Sequence, residues 1–132
     1  MKTKTTTKTI QEKLQVKAGR SILVLNQPDG YHKLFGELPA TVIVGDKKSK
    51  YLDIIQVFIS SQKQLENELP KLKKILNSKG MIWVTYAKGT SKLKSDLNRD
   101  SIAEYAESIG LEGVAIVSID DDWSALRLKV VV

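Results

Sequence analysis

Three runs of apolar residues are nearly continuous rather than alternating, and they constrain the fold more than any other feature of the sequence. They read SILVLN at residues 21–26, LDIIQVFI at 52–59 and MIWVTY at 81–86. A strand that is apolar at consecutive positions is buried on both faces, as in a parallel sheet covered by helices. Because helix signals lie between these runs, the sequence predicts an α/β fold with a mostly parallel sheet.

The last two apolar runs, at residues 114–119 and 123–131, are separated only by Asp120, Asp121 and Asp122. A parallel crossover needs a dozen or more residues, so these runs predict an antiparallel hairpin. A further strand is expected at residues 41–45. The total is six strands, with helices on both faces of the sheet.

The helix signals are caps and apolar spacing. Thr9 and Glu12 have the spacing of a capping box, which predicts a helix to about residue 16, and a helical turn is expected at residues 31–35. Pro70 is expected to break or kink the helix that follows Ser60 and Ser61. The other signals are the apolar positions of that helix and of the next one, with their caps: Leu65, Leu69, Leu72, Leu76, Asn98, Ile102, Ala106, Ile109 and Gly110.

Length and composition favour one domain. The chain has 132 residues, of which 42% are hydrophobic, and we expect a disordered tail at residues 1–8 and a single domain at residues 9–132. The sequence contains no cysteine, no apolar leader and no run of the ~20 apolar residues that a membrane span needs. These features predict a cytoplasmic protein without a membrane partner.

Several segments carry a resemblance to known proteins. The order of the apolar runs resembles class I S-adenosylmethionine-dependent methyltransferases, shortened by about one strand–helix unit. The segments LNQPDGY, YAKGTSKLKSDLN and DDDWSALRL are similar to a bacterial family of small methyltransferase-like α/β proteins, a domain of unknown function, over residues 9–129. The resemblance implies a Rossmann-like three-layer sandwich in a bacterial cytoplasm and implies no activity. The family pattern has tryptophan and proline where this chain has Tyr86 and Ala87.

The turn after the first strand argues against a cofactor. It reads Asn26-Gln27-Pro28-Asp29-Gly30, so it has one glycine, and Pro28 has no amide hydrogen. We therefore predict no cofactor, with S-adenosylmethionine as the alternative. Asp46 lies 20 residues after Asn26, where an acid would meet ribose hydroxyls, although an acid in an exposed loop is the favoured interpretation.

No metal site is predicted. His32 is the one histidine of the chain and has no cysteine to share a metal with. The three aspartates of the hairpin have the chemistry to hold a cation, and a turn rich in aspartate is the favoured explanation. Lys88-Gly89-Thr90-Ser91 lacks the spacing of a phosphate-binding loop.

Ligands of open parallel sheets bind at the carboxyl ends of the strands, and the loops there supply the candidate site. Arg127 is expected to pair with Asp96 or Asp120, with contact to an anionic ligand as the alternative. Trp123 is expected to anchor packing rather than to stack on a ligand. The candidate ligand-binding residues are Asn26, Tyr31, Asp46, Lys88, Ser91, Asp96, Asp120, Trp123 and Arg127.

The net charge of +6 is unevenly distributed. Residues 1–20 hold six basic residues and one acidic residue, whereas residues 100–132 hold two basic residues and seven acidic residues. Much of the net positive charge thus lies in a terminal segment that begins in the tail, which makes nucleic acid an unfavoured partner. The function expected is a non-catalytic binding or regulatory module for a small molecule or a protein. The alternative is a small-ligand binder or a methyltransferase-like enzyme, and a homodimer is left open.

Overall fold

Helices separate most of the strands along the chain. The computed structural model describes residues 9–38, 43–46, 48–90 and 95–131. Its strands are β1 (Ser21–Leu25), β2 (Ile43–Val44), β3 (Leu52–Phe58), β4 (Leu76–Ala87), β5 (Leu111–Ser118) and β6 (Trp123–Val130). Its helices are α1 (Ile10–Lys13), α2 (Tyr31–Phe35), α3 (Gln62–Ile75) and α4 (Arg99–Ser108).

The six strands form one sheet in the order β2-β1-β3-β4-β6-β5. β1 pairs in parallel with β2 and β3, and β3 pairs in parallel with β4. β6 runs antiparallel between β4 and β5, which confirms the predicted hairpin. The chain leaves β1 toward one side of the sheet and returns on the other side as β3. The carboxyl ends of β1 and β3 are therefore the point where the strand order reverses.

Helices cover both faces of this sheet. On one face, α3 and α4 bury apolar side chains against β3, β4 and β6, and we call it the α3–α4 face. On the opposite α1–α2 face, α1, α2 and the adjoining turns pack against β1, β3 and β4. The helical side chains with at most 8% exposure on the two faces are Leu65, Leu69, Leu72, Ile102 and Ala106, and Tyr31 and Phe35.

Several predicted boundaries differ from the structure. α1 ends at Lys13 rather than near residue 16, and β4 begins at Leu76, directly after α3, rather than at residue 81. Gly80, which directly precedes the apolar run at residues 81–86, lies inside β4. A Cβ there would come within 2.8 Å of the Leu52 carbonyl oxygen, so this glycine allows close packing of two strands. Of the predicted second strand, residues 41 and 42 lie outside the described residues.

Pro70 was expected to break or kink the third helix, and the prediction of a break is wrong. Pro70 lies inside α3, which continues to Ile75. Proline cannot donate to the carbonyl four residues earlier, which is that of Glu66. The hydroxyl of Tyr105 on α4 donates to this carbonyl at 3.3 Å, so the acceptor left by the proline has a partner from the neighbouring helix.

This replacement of the missing bond is testable by a double-mutant cycle. Tyr105→Phe removes the donor to Glu66 and should lower the free energy of unfolding by about 0.5–1 kcal/mol. In a Pro70→Ala background the new backbone amide of residue 70 donates to the Glu66 carbonyl. Tyr105→Phe should therefore lower the free energy of unfolding by less in that background. Urea denaturation of the four proteins measures the difference. Equal costs in both backgrounds would contradict the account.

Candidate functional site

The candidate site is the edge of the sheet where β1, β3 and β4 end, called here the carboxyl edge. Ligands of open α/β sheets bind at this edge, beside the point of strand-order reversal. Asn26 directly follows β1, and Tyr31 begins α2. Asp120 and Trp123 lie in and beside the hairpin turn. The structure thus brings these predicted residues to one edge of the sheet.

The turn after β1 is held by contacts within the chain. Asn26 has a φ angle of 60°, which is uncommon for a residue with a side chain. Its amide nitrogen donates to both carboxylate oxygens of Glu68 on α3, at 3.1 and 3.2 Å. The turn ends at Gly30, whose φ angle of 83° is in the left-handed region. The Asn26 side chain therefore ties the turn to α3.

Tyr31 is the centre of a buried polar network. Its ring is 4% exposed, and its hydroxyl donates to Gln56 Oε1 at 2.8 Å. The Gln56 amide nitrogen donates to Thr85 Oγ1 at 3.1 Å, and both of these side chains are fully buried. Burial raises the pKa of Tyr31 well above its ordinary value, against the opposing effect of the bond to Gln56. Tyr31 is therefore a neutral hydrogen-bond donor.

Aromatic rings fill the α1–α2 side of this edge. The rings of Tyr31 and Phe58 meet edge to face with centroids 4.8 Å apart. Phe58 meets Trp123 in the same way at 5.0 Å. This confirms Trp123 as a packing anchor, because its ring joins the hairpin to β3.

The amino terminus of α3 also lies at the carboxyl edge, and the protein caps it. Ser61 Oγ accepts from the backbone amide of Gln64 at 3.1 Å. Asp96 Oδ1 accepts from the backbone amide of Gln62 at 2.8 Å. A free helix amino terminus binds anions through such amides. Here a serine and a carboxylate of the chain occupy two of them.

The two other predicted acids stabilise turns. Asp46 is exposed, and its carboxylate accepts from the amide of Lys48 at 2.8 Å within its own loop. Asp120 Oδ1 accepts from the amides of Asp122 and Trp123, at 2.8 and 2.9 Å. These contacts match the turn interpretation of both acids. In the described part of the chain, no group of three histidine, aspartate or glutamate residues could hold a metal ion.

Lys88 and Arg127 lie in different surroundings. The Lys88 amine donates to Ser118 Oγ at 2.6 Å, at the ends of β4 and β5. Arg127 lies in the middle of β6, opposite Trp83 and Ala115, away from the carboxyl edge. Its side chain makes no ion pair or hydrogen bond with a described residue. The expected pairing of Arg127 with Asp96 or Asp120 is therefore wrong, because those acids accept backbone amides at the edge. Ser91 lies outside the described residues.

The residues that the sequence analysis missed are those that hold the edge together. Gln56 and Thr85 are polar residues inside apolar runs, and that interruption was the available signal, since a buried polar side chain requires a partner. Phe58 and Glu68 gave no comparable signal, because an apolar strand residue and a charged helix residue are both ordinary.

Comparison with known proteins identifies the scaffold. No protein-family model and no curated protein matches the chain, whereas solved structures do. A SAM-dependent methyltransferase from Aquifex aeolicus has a TM-score of 0.63 and 12% identity, over 92% of this chain and 88% of that one. A TehB-like SAM-dependent methyltransferase from Corynebacterium glutamicum has a TM-score of 0.56 and 14% identity, over 90% and 84%. A DhpI–SAH complex has a TM-score of 0.61 and 10% identity, over 91% and 81%.

These likenesses establish the fold, which is the Rossmann-like α/β fold of SAM-dependent methyltransferases. Because the sequence identities are low, these likenesses carry no conclusion about function. The finer resemblance to a small bacterial family stays a prediction. Among the described residues, no helix is long and apolar enough to cross a membrane.

The network at Tyr31 generates a stability prediction. Tyr31→Phe keeps the ring and removes the donor to Gln56, which leaves a buried oxygen without its bond. The free energy of unfolding should fall by about 1–3 kcal/mol in urea denaturation. Tyr51→Phe is the matched control, since Tyr51 is 75% exposed, and should change stability by less than about 0.5 kcal/mol. Equal effects of the two variants would contradict a buried network.

The raised pKa of Tyr31 also predicts a pH dependence. Above a pH of about 10 an unfolded tyrosine loses its proton, whereas folded Tyr31 keeps it. The folded state then binds more protons than the unfolded state, so stability falls as the pH rises. Tyr86, whose pKa is raised mainly by burial, adds to this slope. The free energy of unfolding of Tyr31→Phe should therefore fall less than that of the wild type between pH 9 and 11, about one pH unit either side of the free pKa. The same dependence on pH in both proteins would contradict this.

Proposed function

We propose that this protein is a non-catalytic binding or regulatory module built on a methyltransferase-like scaffold. The observation that carries the proposal is the packing of the carboxyl edge at β3, where Tyr31 packs on Phe58 and bonds Gln56. A groove of about 270 Å³ remains beside it, between α2 and the ends of β1 and β2. In a protein that binds a ligand at this position, the loops leave a cleft and direct polar groups into it. Here the side chains of the edge bind one another.

The residues of the edge do not fit S-adenosylmethionine. A cofactor of this size needs backbone that approaches it closely and donates amide hydrogens. Pro28 has no amide hydrogen, and α2 is a single short helical segment of five residues. Asp46, at the position of the ribose-binding acid, accepts an amide of its own loop. Each of these features supports a scaffold that has lost its cofactor turn.

The polar side chains of the edge also argue against catalysis. A general base or nucleophile must be free to exchange a proton with a substrate. Tyr31 is neutral and buried, and Asp96 is committed to the amino terminus of α3. The Lys88 amine is bonded to Ser118. Among the described residues of the edge, these groups have structural partners instead of an open approach to a substrate.

The proposal is tested by isothermal titration calorimetry of the full chain with S-adenosylmethionine and S-adenosylhomocysteine. We expect no heat of binding at ligand concentrations up to about 1 mM, which bounds the binding free energy at about −4 kcal/mol. The related methyltransferase from Aquifex aeolicus serves as the positive control. Binding of either compound with micromolar affinity would overturn the proposal.

A further inference from the structure

A groove of about 490 Å³ lies on the α1–α2 face, away from the carboxyl edge. It exists because α1 has only four residues and leaves part of β4, β5 and β6 uncovered. We call it the Arg127 groove. Its lining residues come from α1 and the segment after it and from the three strands: Glu12, Lys13, Gln15, Val16, Lys17, Trp83, Ala115, Val117 and Arg127.

The floor of the Arg127 groove is apolar and rigid. Trp83 is 1% exposed, and its indole nitrogen donates to the Leu14 carbonyl at 3.1 Å, which fixes the ring under α1. Val16 is 8% exposed, and Val117 on β5 is half-buried. An apolar group that covers Val117 and the exposed Ala115 would remove their remaining surface from water, above the fixed ring of Trp83.

The rim of the groove is positively charged. Lys13, Lys17 and Arg127 are cations, and Glu12 is the one acid among the lining residues, so the formal charge is +2. The Glu12 carboxylate accepts from the amide of Thr9 at 2.9 Å as part of the cap of α1. The Lys13 amine is held at the rim by a bond to the Ser118 carbonyl at 2.7 Å. Two of the three hydrogens of that amine are left for another acceptor.

Arg127 gives the groove its chemistry. Its side chain is half-buried, between Trp83 on β4 and Ala115 on β5. A guanidinium is always charged and has five N–H donors in a planar fork. In the part of the chain that the structure describes, none of these donors has a protein acceptor. Because a partly desolvated charge without an acceptor is unfavourable, this arrangement favours an external oxyanion.

We propose that the Arg127 groove binds a phosphate monoester with an apolar body. A phosphate monoester carries a charge of about −1.5 to −2 at pH 7, which matches the charge of the groove. Its oxygens pair with the fork of Arg127 and with the amines of Lys13 and Lys17. Its apolar body covers Ala115 and Val117. The Arg127 groove is separate from the carboxyl edge. This proposal therefore does not depend on whether a methyl donor binds at the carboxyl edge.

The test uses phenyl phosphate as the probe for the full chain, with binding followed by NMR shifts and thermal stabilisation. The wild type should bind it, and phenol, which lacks the charge, should not bind. Arg127→Gln should weaken binding roughly ten- to a hundredfold, and Arg127→Lys should retain part of it. Lys17→Gln changes an exposed residue and should weaken binding several-fold without disturbing the fold.

Lys129→Gln is the matched control. Lys129 is exposed on the same face of β6 and pairs in register with Glu112, outside the groove. This variant should bind phenyl phosphate as the wild type does. An equal loss in Lys129→Gln would show diffuse attraction to positive charge and would overturn the proposal.

Three further outcomes would also overturn it. The first is the absence of any stabilisation by phenyl phosphate. The second is inorganic phosphate binding as tightly as phenyl phosphate, because the apolar floor would then have no role. The third is an oligonucleotide that binds with a steep salt dependence where phenyl phosphate does not, which would assign the cations to a nucleic-acid surface.

Discussion

The bond between Tyr31 and Gln56 is the interaction on which the carboxyl edge depends. It connects the turn after β1 to the centre of the sheet, where the Gln56 amide nitrogen donates to Thr85 Oγ1 on β4. The ring of Tyr31 packs on Phe58. Because these groups are buried away from water, each needs the others as hydrogen-bond partners. A substitution that removes one of them leaves a buried polar group without a partner, which is unfavourable. The part of the edge around Tyr31 and Phe58 therefore belongs to the core.

The protein thus combines a methyltransferase-like sheet with loops that are tied to the rest of the chain at the carboxyl edge. Asn26 and Asp96 tie the edge loops to α3. Arg127, whose side chain has no partner among the described residues, faces a groove beside the short helix α1.

The sequence predicted the layout of the sheet well because burial leaves a direct signal. Continuous apolar runs indicated parallel strands, and the three aspartates between the last two runs indicated the hairpin. Pro70 misled, because it is a helix breaker by itself and is accommodated by a contact with Tyr105 on another helix. Such tertiary contacts are invisible to local rules. Residues beside strand ends, such as Asn26 and Trp123, lie at the carboxyl edge as expected, whereas the expected partners of Arg127 were wrong.

The most direct test of this account is a crystal structure of the protein grown with saturating S-adenosylhomocysteine. The account predicts that Tyr31 stays on Phe58 with its hydroxyl on Gln56, and that no ligand density appears between β1 and β3. Density for the compound at this edge, with the Tyr31 ring displaced from its position, would contradict it.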